Sequence, residues 1–131
     1  MVKRACPVWP INTLESFKLM NQLGREVKKA FQKNEAVCHR VIGLFTLLSN
    51  KGRFRIVCLL ARGEFCVNEI TEVVGGGKLS NISQQLKILT LSDVIERRRD
   101  NQHILYRLKD ERVRNLVDFL QRQFVKGEMK I

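Results

Sequence analysis

The chain has 131 residues and carries 24 Lys and Arg against 13 Asp and Glu, a net charge of +11 with a pI near 10.0. That length holds one domain with a real core and leaves no room for a second. The charge favours a polyanionic partner such as nucleic acid, and no apolar run approaches the roughly 20 residues needed to span a bilayer.

The positive charge is uneven. Residues 1 to 62 hold 12 cations against 3 acids, a net of +9, whereas residues 78 to 114 hold 9 against 5, a net of +4. Phosphate contacts are therefore expected to extend to Lys51, Arg53 and Arg55. The opening MVKRACPVWPIN lacks the long apolar segment of a secretory signal. The expectation is a cytoplasmic protein with no membrane partner, whose four cysteines are reduced thiols.

Residues 1 to 11 hold both prolines and the only tryptophan, and are expected to form a flexible N-terminal arm. Asn12-x-x-Glu15 is an asparagine variant of the capping box and should start the first helix. Phe17, Met20, Val27 and Phe31 follow at roughly helical spacing, with Gly24 a weak point. A second, more apolar helix runs from about Ala36 to Leu48, and Ser49-Asn50-Lys51-Gly52 ends it. A third, from about Arg53 to Ala61, buries Ile56, Val57, Leu59 and Leu60 and stops at Gly63. A short fourth helix, about Val67 to Val74, leads into Gly75-Gly76-Gly77. A glycine-rich turn between two short helices is what a helix–turn–helix requires. A phosphate loop is disfavoured, because Lys78 is followed by Leu79 where that motif needs Ser or Thr.

The next stretch, residues 78 to 108, is the most informative. Ile82, Leu86 and Leu89 stand at i, i+4 and i+7, one buried stripe. The opposite face carries Ser80, Asn81, Ser83, Gln84, Gln85 and Lys87, the side chains that hydrogen-bond to base edges and phosphates. Val94-Ile95 and the alternating Ile104, Tyr106 and Leu108 then flank Arg97-Arg98-Arg99-Asp100-Asn101-Gln102, a basic hairpin with Asp-Asn turn chemistry. On a strand the three arginines alternate sides, so at most two face DNA together. Asp110 begins a last helix with Val113, Leu116, Val117, Leu120 and Phe124 along one stripe. Residues 12 to 126 are expected to form a single domain, mainly α with a small β-hairpin wing (α+β), a winged helix–turn–helix, and residues 127 to 131 a tail. The surplus of amphipathic surface at both ends favours a homodimer joined through Phe17, Met20 and Val27 of the first helix and Val113, Leu116, Leu120 and Phe124 of the last.

Over roughly Ala36 to Val125 the chain resembles the ArsR/SmtB family of small bacterial winged-helix repressors. The matching residues are Leu44-x-x-Leu47-x-x-x-x-x-Arg53-x-x-Ile56-Val57-x-Leu59-Leu60, then Gly63 to Ile70, Leu79 to Leu86, and the wing through Leu108. The resemblance implies a homodimer on an inverted-repeat DNA operator, with repression relieved by a metal ion or a thiol-reactive signal. Where the family often has glycine, before the first wing strand and at the wing tip, this chain has Asp93 and Asn101, the residues that best tolerate positive φ. The family's sensors are each present in half. Its thiol metal site on the fourth helix reads Cys-Val-Cys, and here stands Cys66-Val67-Asn68. Its zinc site on the last helix needs Asp-x-His, and here stand Asp110-Glu111-Arg112, with Gln123 further on. Its persulfide sensors pair a third-helix cysteine, matched by Cys58, with a position that is Val125 here.

Cys58 lies between apolar neighbours and reads first as a small core hydrophobe. Cys66 starts a short helix, where the helix dipole favours thiolate. Some family members bring an N-terminal cysteine to the fourth-helix site of the other subunit, which makes Cys6 with Cys66 the best constellation for a thiophilic metal ion. Two soft ligands fall short of the four that tetrahedral zinc prefers. The expected function is a sequence-specific transcriptional regulator, a repressor, and not an enzyme. A basic protein binding nucleic acid without sequence preference would rely on charge and stacking rather than on a polar, cation-poor helix face. A thiol redox enzyme lacks its Cys-x-x-Cys, and a winged helix that binds only protein leaves Arg97 to Arg99 without a purpose.

Overall fold

The computed structural model describes residues 14–75 and 79–125. The N-terminal arm with Cys6, the tail, and the side chains of Phe17 and Met20 lie outside the described residues. The chain divides into two compact units, residues 1–43 and 44–131, with the boundary inside a helix at Gly43.

The first unit holds α1 (Leu14–Lys33) and most of α2 (Glu35–Leu48). Leu19, Leu23, Val27 and Phe31 recur every fourth residue of α1, and all four are exposed. Asn34 separates α1 from α2 without ending the ladder. Its N–H donates to the carbonyl of Ala30 at 3.0 Å, and its own carbonyl accepts from Cys38 N–H at 3.0 Å.

The second unit carries α3 (Lys51–Leu60), β1 (Phe65–Cys66), α4 (Val67–Val74), α5 (Leu79–Leu91), β2 (Ile95–Asp100), β3 (His103–Leu108) and α6 (Glu111–Phe124). The chain leaves α2 through Asn50, whose Oδ1 accepts from Arg53 N–H at 3.0 Å and so caps α3. One core joins these elements. Ile56, Val57 and Leu60 of α3 meet Ile70 of α4, Ile82, Leu86 and Leu89 of α5, Val94 and Ile95 at the wing base, and Val113 and Val117 of α6. The helical periods expected of α3, α5 and α6 thus converge on a single apolar volume.

The sheet is antiparallel in the order β1-β3-β2. Sequence patterning finds β2 and β3 but not β1, which is two residues long and offers no alternation to detect. Phe65 pairs with Tyr106 and Cys66 with Leu105, which fastens the start of α4 to the wing. The passage from α5 to β2 explains Asp93. Val94 N–H donates to Leu89 carbonyl and Asp93 N–H to Thr90 carbonyl, a Schellman closure whose left-handed residue is Asp93 at φ 57°. Asn101 holds the wing turn at φ 54°. At the far end, Asp110 caps α6 by accepting from Arg112 N–H at 2.9 Å. Arg114 Nη1 donates to Ala61 carbonyl at 2.5 Å and Arg62 Nη2 to Gln121 Oε1 at 3.2 Å, so α6 is tied to the end of α3.

Candidate nucleic-acid interface

Burial of Ile82, Leu86 and Leu89 determines which side of α5 remains outside. Ser80, Ser83, Gln84 and Lys87, spaced i, i+3, i+4 and i+7, form one exposed stripe, with exposed Asn81 beside it. None of these five side chains has a hydrogen-bond partner among the described residues. Two hydroxyls, two amides and a cation thus stand ready on a helix whose opposite face is anchored. Gln85 differs from them. It is half-buried, and its Oε1 accepts from Arg53 Nη1 at 2.9 Å. Arg53 also donates through Nε to Leu47 carbonyl at 2.7 Å. Lys51 and Arg55 at the start of α3 are exposed cations.

In the wing, register assigns the arginines to sides. Arg97 pairs with Tyr106 and Arg99 with Ile104, on the sheet face that includes Ile95 and Leu108. Arg98 is on the other face. There its Nε and Nη2 reach the Glu64 carboxylate, with Nη2 to Oε2 at 2.6 Å. Arg107 joins the same cluster, 2.7 Å from Glu96 Oε1 and 3.5 Å from Glu64 Oε1. Of the three wing arginines, Arg98 is therefore engaged inside its own chain, while Arg97 and Arg99 are exposed without an ion-pair partner among the described residues. Sequence reasoning missed this cluster. Its signal was the alternation that turns Arg107 away from Leu108 and Tyr106, toward the side where Glu96 must stand.

The hydrogen bond from Arg98, with the charges of Arg98 and Arg107, holds the Glu64 carboxyl below the usual glutamate range. A depressed folded-state value means that the pairing contributes fully above the ordinary glutamate range and is lost as pH falls through the lowered value. Glu64→Gln should accordingly speed amide hydrogen exchange in β2 and β3 at pH 7. The difference from wild type should close in acid, once the wild-type carboxyl is itself protonated. Equal exchange at pH 7 would show that the pairing does not hold the wing.

Of the expected sensor residues, Cys58 and Cys66 are described, and they stand on different elements. Cys58 is buried in the core, and burial pushes its thiol up from the ordinary range, only partly offset by Arg62. It behaves as a core hydrophobe. Cys66 is half-buried where β1 ends and α4 begins, and its N–H donates to Glu69 Oε2 at 2.8 Å. Among the described residues no group of three or more His, Cys, Asp or Glu could hold a metal ion. Asp110, at the family's zinc position, is both the α6 cap and the partner of the Arg112 guanidinium at 2.8 Å. Among the described residues, neither place gathers a donor set that fits a metal, and the expected partner of Cys66, Cys6, lies outside them.

The expected dimer stripe of α6 also divides. Val113, expected between subunits, is fully covered within its own chain, as is Val117, because both belong to the single core cluster. Their burial needs no partner. Leu116 and Leu120 are half-buried at the flank, and Phe124 is 79% exposed.

Short helices around one core, among them α5 with its exposed polar stripe, and a basic antiparallel hairpin define a winged helix–turn–helix DNA-binding protein. Residues 50–97 match the model of the bacterial regulatory protein, arsR family. The biofilm growth-associated repressor of Xylella fastidiosa is 36% identical over 94 residues, covering 72% of this chain and 82% of that protein. The solved structure of the transcriptional repressor BigR from Xylella fastidiosa superimposes with a TM-score of 0.62 at 33% identity, over 74% of this chain and 95% of that one. The winged helix–turn–helix domain of Mb0332 from Mycobacterium bovis, described as homodimeric, gives a TM-score of 0.60 at 25% identity over 75% and 94%. The chain belongs to the ArsR family, and it is a DNA-binding transcriptional regulator rather than an enzyme. Among the described residues, no helix is long and apolar enough to cross a membrane.

Proposed function

We propose that this protein is a repressor that binds an inverted-repeat operator as a homodimer in the bacterial cytoplasm. The observation that carries this is the exposed stripe Ser80, Ser83, Gln84 and Lys87, presented by a helix whose other face is locked into the core. Such a stripe is rich in groups that discriminate bases and poor in the charge that a nonspecific binder relies on. Arg97 and Arg99 of the wing, with Lys51 and Arg55, supply phosphate contacts, while Arg98 sets the wing's position through Glu64. Two-fold symmetry places the half-sites about one helical turn, or a simple multiple, apart. Footprinting on DNA upstream of the protein's own gene tests this, and protection that ignores sequence in excess competitor would overturn it.

The wing adds a second measurement. Arg97→Ala and Arg99→Ala should each weaken binding on every sequence and reduce the salt slope by about one unit for each phosphate no longer neutralised. Arg98→Ala should leave the slope near the wild-type value. If Arg98→Ala alone reduces it, Glu64 does not hold that arginine away from DNA. For release from the operator, Cys66 is the thiol whose position couples best to reading, because it joins the sheet to α4. Cys66→Ser should keep operator binding but lose any response to thiophilic metals or sulfur oxidants.

A further inference from the structure

The two adjacent glutamines of α5 meet different surroundings. Gln84 stands on the exposed stripe, with no partner among the described residues. Gln85 is turned toward Arg53, whose Nη1 donates to its Oε1 at 2.9 Å. A guanidinium has donors only, so the atom of Gln85 facing it must be the carbonyl oxygen, and chemistry fixes the amide's orientation. Arg53 is itself immobilised, through Nε on Leu47 carbonyl and through its backbone N–H on the Asn50 cap. A continuous chain of hydrogen bonds thus runs from the end of α2, through the first turn of α3, to the middle of α5.

Bidentate recognition of adenine uses both halves of an amide, the oxygen accepting from N6 and the nitrogen donating to N7. Gln84 can present both. Gln85 is half-buried, with its oxygen directed at Arg53, and cannot present that pair to a base edge. We propose that Gln84 is the specificity-determining glutamine, whereas Gln85 is a positioning residue that holds α5 in register through Arg53. This rests on the assignment of α5 as the DNA reader.

The test uses the full chain and a duplex library randomised across one half-site. Wild type should enrich one sequence, and its affinity for that duplex is then compared with that for a random duplex. Gln84→Ala should erase the preference at one base pair per half-site, by about 5- to 150-fold, the effect of one good bidentate contact. Gln85→Ala should lower the operator-to-random ratio while selecting the same bases. Gln85→Glu should restore that ratio, because it keeps an oxygen for Arg53. Its added charge repels phosphates on both duplexes alike. The proposal is overturned by Gln85→Ala matching wild type in ratio, by either Gln85 variant selecting a different base, or by Gln84→Ala leaving every base preference unchanged. A Gln85→Glu ratio that stays low in a folded protein does so too, since the donor would then be what matters. If Gln85→Ala fails to fold, Gln85→Glu still decides the question by keeping or losing the wild-type bases. A wild type that enriches no sequence sinks the DNA-reader assignment itself, a separate and recognisable failure.

Discussion

Leu86→Ala should destabilise the protein by about 2–5 kcal/mol, the range for removing a buried leucine side chain and leaving a cavity. Leu86 is 1% exposed and belongs to the cluster with Ile56, Leu60, Ile70 and Val113. Against the ~5–15 kcal/mol that holds a typical domain folded, such a loss is large. The melting midpoint should fall by on the order of 10 °C. Leu91→Ala is the control, because Leu91 ends the same helix and is 75% exposed. Its midpoint should stay within a degree or two of wild type. Similar midpoints for the two variants would mean that α5 is not anchored through Leu86. The contrast also bears on the proposed function, because the polar stripe of α5 can be held rigid only if its opposite face is.

That anchoring was legible in the sequence because it rests on a period. Ile82, Leu86 and Leu89 at i, i+4 and i+7 are buried, and Ser83, Gln84 and Lys87 between them are outside. Val67 to Val74 is a helix with those bounds, and Asp93 and Asn101 take the positive φ that their side chains tolerate. Pattern and turn chemistry are local, so they survive without a structure. The strand β1 was not legible, since two residues show no alternation and gain their identity only from β3.

Side-chain commitments were harder still. Nothing local distinguishes Gln85 from Gln84, and the difference comes from Arg53, 32 positions away. In the same way Arg98 looks like its neighbours until Glu64, 34 positions away, faces it. Periodicity assigns a residue to a face, but it does not say what else arrives there. The α6 stripe shows the same limit. A helix of 14 residues with one apolar stripe can serve its own core or a partner, and here the stripe is divided between inward Val113 and Val117 and outward Phe124.

The division gives the dimer its sharpest test. Phe124 is exposed in the single chain, so Phe124→Asp removes nothing from the core, and the monomer's helical spectrum should be unchanged. If α6 pairs between subunits, the new carboxylate must be buried without a partner or held apart from the other chain, and burying it costs too much for the interface to persist. Wild type should sediment as a dimer at micromolar concentration and Phe124→Asp as a folded monomer. Leu120→Asp should act in the same direction with an added loss of stability, because Leu120 is already half-buried within its own chain. Losing the linkage between two half-sites removes the effective concentration that the second subunit provides. Operator affinity should therefore drop by about 100- to 10,000-fold, although each reading helix is intact. A single half-site duplex should bind wild type and variant nearly equally. A wild type that sediments as a monomer, or a Phe124→Asp dimer that still holds the full operator, would remove α6 from the interface and leave the exposed Phe124 unexplained.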